Sequence, residues 1–313
     1  MNNMQQINDN IGRHGYDGTF RTWTQIERAH KRKFRKEIVD ALSDIIAHES
    51  NNEYRQFFEW CKKNTPDWLV AKPADLQKLV EECDKEETRK LLDDEYIKAK
   101  LDEAYKYERS KLLDLAKWLN IKSCPYCNMQ YTLFARDYEE NKDMAKFQFD
   151  HFYNKARYPM LRMALYNLIP SCVSCNQGKS DGKLGLRFHP YHSAIKDTFR
   201  FKVKEPLPLI VGGKSKKISI ELEAPNDKEF GAFTHMFRIK ALYQRHDDVV
   251  REVFARAYAD EYYSYLGNFA FLRDGKLAER IIKGFYAEED EIELRPLTKF
   301  QQDLWKQAKG IMK

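Results

Sequence analysis

Two short stretches decide the fold of this chain: Cys124-Pro-Tyr-Cys127 and Cys172-Val-Ser-Cys175. Each pair can direct two thiolates at one ion, and zinc prefers four such ligands in a tetrahedron. A closed shell of four cysteines leaves no position for a substrate, so the predicted zinc site is structural. The alternatives are two unrelated pairs of reduced cysteines, or a redox role for one pair, although neither lies in a βαβ pattern.

The interval between the pairs carries a series of polar motifs. Its 44 residues are more than a simple zinc ribbon needs, so we expect further structure inside it. The series begins at Asp150-His151, continues with Asn167 16 residues after His151, and reaches Asn176 nine residues later. Each motif alone is weak, because an Asp-His dipeptide is more often a surface pair or a satisfied core pair. Their order and spacing are informative.

The series resembles the HNH endonuclease family, in which a β-hairpin followed by a helix grips one divalent metal ion. His151 matches the first position of that motif, Asn167 the second and Asn176 the third. The third position is often histidine; Asn176 departs from that form but matches the HNH module of CRISPR effector nucleases. The sequence of this segment is most similar to that of the nuclease subunits of Septu-type and retron-associated antiphage systems. The resemblance covers residues 121–192, under a quarter of the chain.

The resemblance implies hydrolysis of phosphodiester bonds. His151 would be the base that takes a proton from the attacking water, because imidazole titrates near neutral pH. Asp150 and Asn176 would ligate a catalytic Mg²⁺ or Mn²⁺, since oxygen ligands suit these ions. Asn167 would orient His151 or clamp the hairpin. The substrate is a nucleic acid, and the sequence leaves both DNA and RNA open.

Basic residues near the motifs are the predicted phosphate-binding groups. Lys179 follows Asn176 by three residues and would meet a phosphate as a point charge. Arg157 and Lys183 flank the motifs and would bind backbone phosphates, with solvated surface charge as the alternative. His189 is a further candidate ligand, for which packing or hydrogen bonding is the alternative.

The flanks of the central segment are predicted to be helical. The first three helices are expected over residues 24–48, over 52–63 and after Pro73, and one long helix over 86–119. Residues 199–222 alternate around Gly212-Gly213 as a strand pair, and helices resume after residue 227. The predicted fold is α-rich α+β, with helical N- and C-terminal regions around a zinc-stapled ββα-metal module. The predicted regions are a helical N-terminal region over residues 1–120, the module with its zinc site over 121–192, and a C-terminal region with the strand pair and helices over 193–313.

Charge and hydropathy limit the classes of partner that we expect for this chain. A formal charge of +6 leans toward polyanions. No apolar run approaches the roughly 20 residues that a membrane span needs, and no signal peptide is visible, so we expect a cytoplasmic protein without membrane contact. Six cations between Arg28 and Lys36 crowd the first predicted helix. Clustering of this kind either follows a nucleic-acid backbone or forms a solvated face.

The sequence therefore predicts a metal-dependent HNH endonuclease acting in bacterial antiphage defence. The chain has no Walker motif, so an ATPase partner, which the resemblance implies, would be a separate chain. The alternative is a zinc-dependent nucleic-acid-binding or assembly module without catalysis. Such a module needs the cysteines but has no use for a base beside a metal ligand, so the placement of His151 and Asp150 relative to Asn176 discriminates between the two.

Overall fold

The computed structural model describes residues 12–193, 195–210, 218–224, 228–263 and 275–312. Its α-helices are α1 (Trp23–His48), α2 (Asn52–Trp68), α3 (Pro73–Cys83), α4 (Glu86–Asp93), α5 (Glu95–Ala104), α6 (Leu113–Leu119), α7 (Val173–Lys179), α8 (Leu207–Ile210), α9 (Lys228–Phe237), α10 (Ile239–Tyr243), α11 (Asp247–Tyr263), α12 (Gly275–Lys283) and α13 (Thr298–Met312). Helices dominate, as the sequence predicted.

The strands pair as small antiparallel sheets. The pairs are β1 (Gly12–His14) with β2 (Phe20–Thr22), β3 (Phe134–Asp137) with β4 (Lys142–Ala145), β5 (Gln148–His151) with β6 (Leu168–Ser171), and β7 (Arg200–Val203) with β8 (Ile220–Glu223). The predicted pair over 199–222 is confirmed as β7 and β8. Gly212-Gly213, on which that prediction was centred, lies outside the described residues.

The chain divides into two compact units. The first is drawn from residues 1–121, 132–176 and 180–193, and the second from residues 122–131, 177–179 and 194–313. In the part of the chain that the structure describes, no helix combines the length and the apolar run needed to cross a membrane.

Helix α1 of the first unit is set by its cap and its apolar spacing. The Thr22 hydroxyl accepts from the N–H of Gln25, and the Gln25 side chain accepts from the N–H of Thr22 at 2.8 Å. This reciprocal pair satisfies two N–H groups that a helix N-terminus otherwise leaves without partners. Ile26 and Phe34 are buried on the inner face. The predicted first helix is therefore confirmed.

The single long helix predicted over residues 86–119 is wrong. The structure has α4, α5 and α6 there instead. Asp94 separates α4 from α5, because its carboxylate accepts from the N–H of Ile97 at 3.0 Å and so begins a new helix. Tyr105 ends α5 with a backbone conformation outside the helical region (φ −101°, ψ 43°) and is buried. An aspartate cap cannot be told from an ordinary surface aspartate in a run this rich in charge.

Strands β5 and β6 and helix α7 follow one another as hairpin and helix. In the hairpin, Gln148 pairs with Ser171 and His151 with Leu168. Cys172 then caps α7, with its sulfur accepting from the N–H of Cys175 at 3.4 Å. Two β-strands followed by a helix is the chain order that the HNH resemblance implies.

The core of the second unit holds one buried ion pair. Lys299 is 1% exposed, and its ammonium lies 2.7 Å from the Asp303 carboxylate. Asp303 also accepts from the N–H of Phe201 at 2.9 Å. Burial lowers the pKa of Lys299 below its ordinary value, although the charge of Asp303 opposes that shift. Lys299 and Asp303 both belong to α13, so the bond from the Phe201 N–H to Asp303 is the contact that joins α13 to β7. Breaking the ion pair would leave a buried charge without compensation.

The buried imidazole of His30 predicts a loss of stability in acid. The side chain is 1% exposed, and its Nε2 lies 2.6 Å from the Met163 carbonyl. Burial lowers the pKa of His30 to about 4, against the opposing effect of that hydrogen bond. Above pH 6.5, His30 is neutral in both the folded and the unfolded chain, and folding loses no stability through it. As the pH falls from 6.5 towards 4, His30 becomes protonated in the unfolded chain but stays neutral in the folded one, which lowers the free energy of unfolding. We expect a loss of about 3 kcal/mol by pH 4.

Urea unfolding of the wild type and of His30→Gln between pH 4 and pH 8 measures how much His30 contributes to the pH dependence of the free energy of unfolding. The glutamine amide can still donate to Met163 but does not titrate in this range, so the difference between the two curves isolates His30. The exposed His48 supplies the matched control, since His48→Gln is expected to keep the wild-type pH profile. Parallel curves for the wild type and His30→Gln would contradict the assignment.

Candidate metal centre and hydrolytic site

The four predicted zinc ligands form one buried cluster. The sulfur atoms of Cys124, Cys127, Cys172 and Cys175 all lie within 4.8 Å of one another. Four sulfurs bonded tetrahedrally to zinc at about 2.3 Å stand about 3.8 Å apart. The cluster therefore has the donor set, the spacing and the burial of a structural metal site, and it could hold zinc.

Backbone N–H groups face the cysteine sulfurs. Met129 donates to the Cys127 sulfur at 3.4 Å, and Cys175 donates to the Cys172 sulfur at the same distance. Asn128 closes the first turn, with its N–H bonded to the Cys124 carbonyl at 2.7 Å and a positive φ of 47°. Donors placed this way stabilise thiolate charge, which is the form of cysteine that binds a metal.

Asp150 and Asn176 lie on the same side of β5. The amide nitrogen of Asn176 donates to Oε1 of Gln148, and Gln148 and Asp150 point to the same face because they are two residues apart in a strand. Since its nitrogen is turned to Gln148, the carbonyl oxygen of Asn176 lies on the other branch of the amide. A carboxylate and an amide oxygen suit Mg²⁺, which usually binds one or two such groups and keeps several waters.

His151 ends β5 and points to the opposite face from Asp150. Its side chain is 7% exposed, and its Nε2 lies 3.1 Å from the Arg162 carbonyl oxygen. Because a carbonyl can only accept, Nε2 carries the hydrogen, and Nδ1 of the neutral ring has the lone pair that can take up a proton. A neutral ring with one nitrogen lone pair is the form of histidine that can act as a general base.

Tyr107 and Lys155 also belong to the surroundings of His151. The Tyr107 and His151 rings meet edge to face with centroids 4.9 Å apart. The Lys155 ammonium lies 4.8 Å from the Tyr107 centroid, so a cation and the imidazole share one aromatic ring. Tyr107 lies between α5 and α6, 44 residues before His151. No pattern in the sequence connects it with the motif, and only the fold reveals it.

Asn167 holds the loop that follows His151. It is fully buried, and its side-chain oxygen accepts from the N–H of Tyr153 at 2.7 Å. Its amide nitrogen donates to the carbonyl oxygens of Tyr153 and Leu161 at 3.1 and 2.9 Å. Three bonds from one side chain tie the two ends of this loop together, immediately after the candidate base.

Two of the predicted phosphate-binding residues meet the same carboxylate. Arg157 and Lys183 lie 2.6 and 3.6 Å from Asp84, which also accepts from the Tyr158 hydroxyl. Burial raises the pKa of Asp84, but the bonds from Arg157 and Tyr158 outweigh it and lower that pKa below its ordinary value. Lys179, the third predicted residue, is only 2% exposed rather than on the surface. Its contact with a phosphate stays a prediction.

A cleft of about 580 Å³ opens beside these residues in the first unit. Its walls come from the loop after β5 and from residues 181–186, with further residues of α3, α4 and α5. Arg157, Lys183 and Lys98 line it together with Glu81. The lining of the cleft includes Phe152, the residue that follows the candidate base, so the cleft adjoins the motif along the chain.

No protein-family model, curated protein or solved structure matches this chain. The features that bear on function are a buried cluster of four cysteines, a hairpin followed by a helix, and oxygen donors on one face of β5 with a histidine at its end.

Proposed function

We propose that this chain is a metal-dependent endonuclease of the HNH type that hydrolyses phosphodiester bonds in nucleic acid. The observation that carries the proposal is the placement of Asp150 and Asn176 on one face of β5, with His151 at the end of that strand. The order β5, β6, α7 and the cysteine cluster that flanks it support the proposal, because both belong to the pattern that the resemblance implies.

Asp150 and Asn176 would hold a divalent ion, which when bound stabilises negative charge on the phosphate and on the leaving oxygen. His151 would take, at Nδ1, a proton from the water that attacks phosphorus. The bond from Nε2 to the Arg162 carbonyl fixes the ring and favours the imidazolium that forms. The water oxygen bonds to phosphorus as the bond to the 3′-oxygen breaks, and the departing oxygen takes a proton from solvent.

The biological setting is part of the proposal. The resemblance to nuclease subunits of Septu-type and retron-associated systems points to an antiphage effector that works beside an ATPase partner. The partner would then be the chain that binds ATP, because this chain has no Walker motif.

One observation favours the alternative, a zinc-dependent binding or assembly module without catalysis. The His151 ring is buried and points to the opposite face of β5 from Asp150. A buried histidine that bonds a backbone carbonyl is also what an ordinary core position contains. The cleavage experiment below separates the two functions, since a binding module retains nucleic acid but leaves it intact.

Metal dependence tests the proposal. Labelled plasmid DNA and a tRNA pool are incubated with the chain, together with any partner encoded beside it, with and without Mg²⁺. We expect cuts only when Mg²⁺ is present. Metal-depleted buffer is used instead of a strong chelator, because a chelator also removes zinc from thiolates. Asn176→Ala is expected to raise the Mg²⁺ concentration for half-maximal cleavage about tenfold or more.

The control is Asn64→Ala, a half-buried asparagine of α2 whose side chain bonds only a carbonyl of its own helix, at 2.8 Å. That variant should keep the wild-type Mg²⁺ dependence. Cleavage that needs no Mg²⁺, or an unchanged Mg²⁺ requirement in Asn176→Ala, contradicts the assigned ligands. If neither pool is cut, the binding module takes the place of the nuclease.

A further inference from the structure

Helix α1 presents a continuous row of cations on its outer side. The row consists of Arg28, Lys31, Arg32, Arg35 and Lys36, which we call the α1 basic stripe. Its members recur at intervals of three and four residues, so they share one helix face. Four of them are exposed and Lys31 is half-buried, and together they line a shallow groove of about 520 Å³. Ile26 and Phe34 point inward from the same helix, so the stripe is the outer half of an amphipathic helix.

The acidic residues that interrupt these cations in the sequence do not neutralise them in the fold. Glu27 bonds the Lys72 ammonium and accepts from the Tyr166 hydroxyl at 2.5 Å. Glu37 lies 2.6 Å from the Lys111 ammonium. Both carboxylates are therefore engaged by cations or hydroxyls of other elements, and their charge is satisfied away from the stripe.

The stripe keeps a net positive charge. Lys31 lies 3.3 Å from the largely exposed Asp67, and Asp40 lines the groove at its end. Five positive charges against these two negative ones leave +3. In the part of the chain that the structure describes, no ion pair involves the remaining four cations of the stripe. Four long cationic side chains in one row are costly to the isolated helix, because like charges four residues apart repel.

We infer that the α1 basic stripe binds the phosphate backbone of double-helical nucleic acid. Phosphates follow one strand of a duplex every 3.4 Å or so along its axis. The stripe from Arg28 to Lys36 spans about 12 Å at 1.5 Å per residue, and so faces about three or four phosphates of one strand. Helical spacing supplies the matching row of cations.

This inference rests on the proposed function only in taking nucleic acid as the partner, and it assigns a second surface to that partner. The hydrolytic site acts on one phosphodiester bond. The stripe binds several phosphates irrespective of sequence and so supplies affinity that the site itself lacks. Duplex DNA and duplex RNA share this chemistry.

Binding is measured by fluorescence anisotropy with labelled 30-base-pair DNA and RNA duplexes between 50 and 300 mM salt. All proteins carry His151→Ala, so that no duplex is cut. The test variant replaces Arg28, Arg32, Arg35 and Lys36 with glutamine. Each phosphate contact contributes about 0.9 to the slope of log Kd against log salt. We expect the slope to fall by about 3 and the affinity at 50 mM salt to weaken at least about tenfold.

The control variant removes four cations elsewhere in the first unit, with glutamine at Lys62, Lys63, Lys85 and Lys90. It has the same net charge as the test variant and is expected to keep the steep slope. An equal loss in both variants, or no loss in either, overturns the inference; no loss would assign the stripe to an acidic protein instead. Because these chains cannot cut, the outcome does not depend on whether the wild type cleaves.

Discussion

Replacing Cys124 or Cys172 with serine is expected to remove the metal and unfold the segment that carries the cysteines. Each sulfur is one of four in a buried cluster within 4.8 Å, and three thiolates with one hydroxyl hold zinc far less tightly than four thiolates. Binding of a structural zinc contributes roughly 10 kcal/mol or more to folding, whereas a whole domain is stable by only about 5–15 kcal/mol. One substitution therefore removes most of the stability of that segment.

The measurement is zinc content per chain by metal analysis, together with thermal unfolding. The chain offers a matched control in Cys61, which is equally buried but stands outside the cluster. Cys61→Ala removes one thiol as well, yet it should keep one zinc ion per chain and lose only the packing of a small side chain. A Cys124→Ser protein that retains zinc and the wild-type unfolding temperature would show that the cluster is not a metal site.

Local signals in the sequence were sufficient for the cluster and for the first helix. Two C-x-x-C pairs specify the direction of their sulfurs through a tight turn, and the structure brings all four together. In α1 the cap at Thr22 and the apolar spacing act within a few residues of one another. The two tight turns and the cap are short-range features, and the preference of zinc for four thiolates links the two cysteine pairs across the 44 residues between them.

Breaks within charged helices were beyond the sequence. Lysine, glutamate and leucine favour helix throughout residues 86–119, so propensity predicts one element. The actual breaks depend on Asp94 turning its carboxylate back to an N–H and on Tyr105 packing against Thr65 at 2.5 Å between oxygens. The second contact joins residues 40 positions apart, and no local pattern contains it.

Contacts between distant parts of the chain also limit what the sequence indicates about the candidate hydrolytic site. The motif residues Asp150, Asn167 and Asn176 are near one another in the chain, and their spacing was readable. Asp84, which engages Arg157 and Lys183, and Tyr107, which contacts His151, come from the N-terminal helical region. Side chains supplied by a distant part of the chain tune a site without leaving a spacing signal.

Substitution of His151 is expected to lower the cleavage rate about 10²- to 10⁴-fold, the usual contribution of a general base. Two variants make the result specific. His151→Ala removes the ring and its bond to the Arg162 carbonyl. His151→Gln retains an amide that can donate to that carbonyl but has no nitrogen able to accept a proton. If His151 acts as the base, both variants lose cleavage to a similar extent, whereas a purely structural histidine is largely replaced by glutamine.

Single-turnover rates on the susceptible pool, with Mg²⁺ saturating, measure the chemical step apart from binding. His48→Ala is the matched control, because that histidine is exposed at the end of α1 and bonds only to Asp44 of its own helix. All variants must retain zinc and the wild-type unfolding temperature. Retention of zinc is expected, because the cluster that could hold zinc consists of four cysteines and does not include His151. Full activity in His151→Gln would assign this residue to the core, and the base would have to be sought among other groups that reach the face of β5 carrying Asp150.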